Sequence, residues 1–414
     1  MTAELLVLVE SNTTGTGRLF PAAARDLGLR PVLLAADPGR YTSVGGAEVV
    51  RTDTDSPQEV IAACRRLGAT RRIAGITTSS DYFVETASTA GVELGLPAHS
   101  PGAIRSIQDK GVQRRLLAEG GVRVPRFAVA ATVRDATDAA LGLGFPVVLK
   151  PVTGSGSLGV HLCADAAEVT ERAAALLARE TNERGRPIPR RLLVEEFVRG
   201  AEYSVEVLSD TVIGVTRKYL GELPSFVETG HDFPAPLAPS AYERIASTAL
   251  AAVRGLGLVL GPAHVELRMD GDEPVLIEVN PRLAGGWIPR LVQEATGIDL
   301  IHETVKAFSG RASGVSAPVR ATRAGAAAIR FVLAPGDGEL TELRGVADAR
   351  AVPGVIEVEP YRSPGAALTV AGDFRDRIGH VLAHAGAVAD AAAAATEGAR
   401  LVRPVLRAVK EPVA

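Results

Sequence analysis

The stretch His264-Val-Glu-Leu-Arg-Met-Asp-Gly-Asp-Glu-Pro-Val-Leu-Ile-Glu-Val-Asn-Pro-Arg282 decides the fold. Its alternation of polar and apolar residues, interrupted at Asp-Gly-Asp-Glu, spells a β-hairpin. His264, Glu266 and Arg268 fall on one face of the first strand, with Val265, Leu267 and Met269 on the other. In the second strand Glu278 and Asn280 share a face, opposite Val275, Ile277 and Val279. A three-residue turn at 271–273 sets 268 across from 276, 266 across from 278, and 264 across from 280. Two carboxylates then stand about 5 Å apart at the Cβ level, a repulsive pair unless something positive lies between them. Two carboxylates and an amide oxygen are a donor set suited to Mg²⁺, with phosphate oxygens completing an octahedron. A solvated hairpin with incidental acids is the plain alternative; three ligands in one register, with Arg282 directly after, weigh against it.

Working outward, Val147-Val-Leu-Lys-Pro-Val-Thr-Gly-Ser-Gly-Ser-Leu-Gly159 ends a buried strand at Lys150 and enters a turn holding Gly154, Gly156, Ser157 and Gly159. Glycines let backbone N–H groups close on phosphate oxygens, and an ammonium adds charge. No Gly-Lys-Ser/Thr precedes a helix, so this is not a Walker A loop. Arg far outnumbers Lys, which occurs only at 110, 150, 218, 306 and 410, so a strand-end lysine is there for its compact charge. The third stretch, Leu192-Leu-Val-Glu-Glu-Phe-Val-Arg-Gly-Ala-Glu-Tyr-Ser-Val-Glu206, reads equally as a plain strand end or as a purine site. In the second reading, backbone meets the base edge and a carboxylate meets an amine or ribose hydroxyl.

The 414 residues suffice for two to four domains. A net charge of −3 leaves no broad basic face for nucleic acid. Cys64 and Cys163 are the only cysteines, which excludes a disulfide framework and a Cys-based zinc site. Leu5 to Val9 is strand-length and flanked by Glu4 and Glu10, unlike a signal peptide, and no apolar run reaches the roughly 18 residues of a membrane span. A cytoplasmic protein is the expectation.

Strand-like and helix-like segments alternate to about residue 105, which predicts a parallel α/β layer. Its strands are 5–9, 31–36 and 72–77, and its helices end near Leu27, Leu67 and Leu94. Asp109 is placed to cap a helix from Lys110 to Glu119. The middle of the chain predicts antiparallel strands, a long helix over 166–183, and an irregular loop over 221–239. A third section predicts strands at 326–333, 355–359 and 367–371, then a closing helix over 374–396. The domain expectation is therefore 1–108, 109–315 and 316–414. A dinucleotide site at Thr14-Gly-Thr-Gly-Arg18 lacks the full glycine fingerprint, and a strand–loop–helix turn explains it better.

Taken in order and spacing, the three stretches resemble the ATP-grasp superfamily across roughly residues 1 to 400. The resemblance implies an α/β ATP-grasp fold with an N-terminal parallel-sheet domain, a central nucleotide- and metal-binding core, and a smaller α+β section. It implies Lys110 and Lys150 on nucleotide phosphates, with Gly156 and Ser157 in a mobile loop above them. Glu195, Glu196 and Val198 match residues that hold adenine, and Glu202 the ribose-binding acid. Glu266, Glu278 and Asn280 match ligands of Mg²⁺ or Mn²⁺, and Arg282 the cation near the transferred phosphoryl group.

Within the superfamily, 228–234, 280–286 and 327–331 resemble the bacilysin-type L-amino acid ligases. That resemblance implies activation of an amino-acid carboxylate by ATP as an acyl phosphate. Attack by an amine, from a second amino acid, then gives a dipeptide or γ-glutamyl-type amide. Arg330 matches an arginine that pairs with a substrate carboxylate, with a structural ion pair as the alternative. His231 is a candidate to orient substrate or accept the amine's proton, or an idle loop histidine. The expected partners are ATP and small amino acids, without nucleic acid or membrane, and with a homodimer left open. An ATP-grasp carboxylase, a nucleotide-precursor ligase and a non-catalytic ATP-binding regulator are the competing readings.

Overall fold

The computed structural model describes residues 3–12, 15–41, 45–182, 184–316, 319 and 325–408. The N-terminal layer is a parallel four-stranded sheet in the order Glu48–Arg51, Arg30–Ala35, Leu5–Val9, Ile73–Thr77. Leu5–Val9 is buried along its whole length, as an apolar run covered on both faces requires. The edge strand Glu48–Arg51 was not expected; it is short and only half-buried, so it carries no apolar run. Gly15–Leu19 forms a short 3-10 turn leading into the helix Phe20–Asp26, in place of a nucleotide fingerprint; Thr14 lies outside the described residues.

Helices Pro101–Gln108 and Lys110–Glu119 lead into the core. The Asp109 carboxylate accepts the backbone N–H groups of Gly111 and Val112, as the cap reading expects, and so fixes where Lys110 leaves the helix start. A four-stranded antiparallel sheet follows, ordered Phe127–Ala130, Leu192–Glu196, Val147–Pro151, His161–Cys163. Helices Val133–Leu143 and Ala166–Leu177 pack on it; the second is shorter than expected.

The largest sheet has eight antiparallel strands. Its order is Glu273–Asn280, Pro262–Asp270, Glu202–Leu208, Thr211–Leu220, Glu228–Phe233, Ala326–Leu333, Arg377–Ala385, Val355–Pro360. Two expectations fail here. The supposed loop over 221–239 contains the strand Glu228–Phe233, and the supposed closing helix over 374–396 begins as the strand Arg377–Ala385. In both cases the segment is hydrogen-bonded to a strand on each side, and that pairing overrides local composition. The closing helix is Val388–Leu401. The section after residue 315 thus continues the core's sheet, while Ala367–Leu368, Gly338–Arg344 and Arg403–Arg407 form a small sheet of their own.

Candidate active site

The metal hairpin forms with 264 opposite 280 and 266 opposite 278, as its alternation dictates. A bulge after Glu266 then shifts the register, so that Leu267 faces Leu276 and Arg268 faces Val275. The connection is the two residues 271–272, and the expected pairing of 268 with 276 is wrong. The shift has a chemical result: Leu276 turns into the core, while Ile277 lines the cavity beside Glu278.

That cavity brings together Lys110, Lys150, Gly156, Ser157, Glu195, Glu196, Val198, Glu202, Glu266, Glu278, Asn280 and Arg282. Every nucleotide- and metal-binding residue expected from sequence lies on its wall. The positions differ in how they are held. Lys150 is 5% exposed, and its ammonium lies 2.5 Å from Glu195, which also accepts from Arg114 at 2.5 Å. Burial lowers the Lys150 pKa against the pull of Glu195. Two cations on one buried carboxylate leave a net positive charge at the strand end, which an anion satisfies. Glu195 is therefore a charge partner of Lys150 and Arg114. The Glu196 carboxylate is likewise taken, by the backbone N–H of Arg126 at 2.9 Å and its guanidinium at 2.5 Å. What remains for a purine along Glu196 to Val198 is backbone.

Lys110 donates to the Gly154 carbonyl at 2.6 Å and pairs with Glu278 at 3.0 Å, tying the helix start, the glycine turn and the hairpin together. Glu202 pairs with Arg268 at 2.9 Å. Arg282 is bonded at 2.6 Å to Asp81, a residue of the N-terminal layer. Burial opposes its charge, but Asp81 together with Glu266 and Glu278 outweighs burial and raises its pKa. Gly156 sits with φ +70° under Phe374, where a Cβ would lie 2.8 Å from the ring, so the turn is seated on the C-terminal section.

Sequence comparison now has geometry to meet. An ATP-grasp domain family matches residues 143–290, and the L-amino acid ligase C-terminal domain 2 family matches residues 330–407. Protein y4rH of Sinorhizobium fredii is 40% identical over 91% of this chain and 78% of its own length. The chain belongs to the ATP-grasp superfamily, on its L-amino acid ligase branch. Human carnosine synthase 1 is 30% identical over 70% of this chain, which spans 38% of that protein's length. The crystal structure of L-amino acid ligase from Bacillus licheniformis superposes with a TM-score of 0.83 over 98% of this chain and 100% of its own, at 20% identity, a likeness of fold. The chain is thus an ATP-dependent carbon–nitrogen ligase by family.

Two expected residues of this ATP-grasp ligase do not reach the cavity. Arg330 pairs with Asp232 at 2.7 Å and stacks over Tyr219 at 4.8 Å. It is the structural ion pair, because its strand turns that side chain onto the neighbouring strand Glu228–Phe233 and away from the cavity. His231 is fully buried beneath Gly286, edge-on to Phe331, and 3.4 Å from Glu228. Burial pulls its pKa down against Glu228, so it is a neutral, packed residue.

Other site residues went unassigned in the sequence. Lys218, 4% exposed, lies 3.1 Å from Glu202, 2.8 Å from Glu228 and 3.1 Å from Glu266. Burial alone would lower its pKa; the three carboxylates together hold it well above the usual lysine value. The scarcity of lysine, which singled out Lys110 and Lys150, was the signal that could have found it. His264 bridges Glu206 at 2.8 Å and Glu266 at 3.0 Å, and against the cost of burial these acids push its pKa up to about 9. Burial would raise the Glu266 carboxyl, but Lys218 and His264 hold it well below the usual range. A second cavity of about 370 Å³ adjoins the first beyond Glu266 and Arg282, walled by Asn12, Ser79, Glu228, Gly285, Gly286 and Arg377 among others.

Proposed function

We propose that this ligase activates the carboxylate of one amino acid with ATP and joins it to the amine of a second, releasing ADP and phosphate. The observation that carries the reading is the order of the two cavities. Phosphate-binding cations (Lys110 and Lys150) line the first, facing carboxylates (Glu266 and Glu278) lie next, and the second cavity opens beyond Arg282. A carboxylate oxygen attacks the γ-phosphorus and ADP leaves. The amine nitrogen then attacks the acyl carbon, the carbon–oxygen bond to phosphate breaks, and the departing phosphate takes up a proton from nitrogen. Catalysis is positioning plus neutralisation of charge.

The donor set fits Mg²⁺. Glu266 and Glu278 face each other in register, Asn280 lies on the same cavity wall, and Lys218 and Lys110 each hold one of the carboxylates. Bound there, the metal would supply charge for the phosphoryl oxygens. Lys150 and Lys110 are read as phosphate contacts, the backbone of Glu196 to Val198 as the adenine contact, and Glu202 as the ribose contact. Among the described residues no helix is long and apolar enough to cross a membrane. A screen of amino-acid pairs for ADP and phosphate release, with mass spectrometry of products, tests the reading. Amide products with one ADP each are expected; ADP release driven by bicarbonate alone would instead make it a carboxylase.

A further inference from the structure

Beyond the second cavity lies a third, of about 350 Å³, and the two share Gly15, Gly286, Phe374 and Arg377. The third chamber is walled by Trp287, Phe331 and Tyr361, with Arg18, Arg362 and Arg375 also along it. In its wall the Trp287 indole N–H donates to the Tyr361 hydroxyl at 2.9 Å, which pairs with His380 Nδ1 at 2.8 Å. Gly286, which lines both chambers, lets the backbone lie directly on His231. Its φ is +59°, and a Cβ there would stand 2.5 Å from the His231 ring, so a side chain would have to displace the floor.

Arg377 stands at the junction. Its guanidinium lies over the Phe331 ring at 4.2 Å, which fixes its plane, and it donates to Glu228 at 2.7 Å. Glu228 is also held by Lys218, and among the described residues Arg377 Nε has no partner. A planar fork with donors left over is the group that binds a carboxylate. Of the other arginines along the two chambers, Arg282 is held by Asp81, Arg18 by Glu359 and Arg375 by Asp373, while Arg330 is spent on Asp232 and lines neither chamber. Resting on the ligase reading above, we propose that Arg377 holds the free carboxylate of the amine-donating amino acid. Its side chain, a ring, then fills the chamber of Trp287, Phe331 and Tyr361. Aromatic rings meet such walls offset or edge-on. Glu359, held by Arg18 at 2.8 Å, lies at the chamber's rim and offers an acceptor to a ring N–H or hydroxyl.

The test compares phenylalanine, tyrosine, tryptophan and histidine with alanine and glycine as amine donors, each also as its carboxamide. ADP release is read at saturating acyl donor. The wild type should show KM values at least about tenfold lower for ring donors than for alanine, and at least about tenfold lower for each acid than for its amide. Arg377→Met should erase the acid-to-amide preference while the KM for ATP stays within about twofold. Should that variant fail to fold, Arg377→Lys keeps the charge without the fork and should reduce the preference to under about threefold. Ligation with the preference intact in the variant overturns the Arg377 assignment alone, and alanine matching the ring donors overturns the chamber. Absence of ligation with any pair sinks the ligase reading. In that case calorimetry of phenylalanine and phenylalaninamide on the ADP-loaded protein makes the same comparison without turnover, and equal affinities there overturn the carboxylate site as well.

Discussion

At the scale of single residues, the site is a set of charges in which each cavity-lining lysine has a carboxylate close by: Lys110 has Glu278, Lys150 has Glu195, and Lys218 has Glu202, Glu228 and Glu266. Glu278→Gln removes one charge from the hairpin but keeps its shape, and Lys110 retains its bond to Gly154. We expect ADP release to fall by at least about a hundredfold, with an unchanged circular-dichroism spectrum; wild-type turnover would remove Glu278 from the metal site. Lys150→Met leaves Glu195 bonded to Arg114, so the fold should survive while ATP binding weakens by about 1.5–3 kcal/mol in calorimetry. Arg330→Met makes the opposite pattern. It takes the cation from the buried Asp232 carboxylate and leaves it the Tyr219 hydroxyl at 2.7 Å, so thermal stability should drop while every substrate KM stays in place. A raised amino-acid KM with unchanged stability would return Arg330 to the substrate site. The sequence revealed the residue types and their strand parity, which is why Lys150, Glu266 and Glu278 were legible. It could not say which neighbour each side chain meets, and for that reason Arg330 and His231 stood between two readings and Lys218 went unassigned.

At the scale of elements, capping and alternation were legible because they are local. Asp109 at the helix start, the register of 264 with 280, and the strand Ala326–Leu333 follow from neighbours in sequence. Asp109→Ala should cost about 1 kcal/mol of stability through the lost cap, seen as a lower denaturation midpoint. The KM for ATP should rise too, since the cap sets the exit of Lys110; an unchanged KM would separate helix stability from phosphate binding. The bulge after Glu266 and the strands Glu228–Phe233 and Arg377–Ala385 were not legible. Each depends on a partner strand distant in sequence. Glu228 and Arg377 sit at the starts of these two strands, so the misread elements carry the proposed substrate end of the site, while the well-read ones carry the proposed nucleotide end.

At the scale of the whole molecule, three sections meet at one cavity: Asp81 comes from the parallel layer, Arg282 from the core and Arg377 from the C-terminal strands. The expected division at 108 and 315 describes the chain order but not the sheet, which runs across the second boundary. Where the parallel layer joins the core, His99 is buried with its ring edge-on to Phe308 at 5.4 Å, and no hydrogen-bond partner reaches either ring nitrogen among the described residues. Burial pushes its pKa down to about 4. In the unfolded chain the imidazole titrates near about 6.5, so between these values the unfolded state binds more protons than the folded one. Neutral His99 therefore contributes stability that is fully present above about pH 6.5, is lost as pH falls, and levels off below about pH 4. The loss amounts to about 3 kcal/mol at most, at 1.36 kcal/mol per pH unit. His99→Phe keeps a ring against Phe308 without a titrating group. Denaturant unfolding of both proteins at pH 7 and pH 4.5 should show the wild type losing more stability than the variant. Equal losses would mean that the joint opens to water around His99, and that the layer supplying Asp81 is held less tightly than its packing implies.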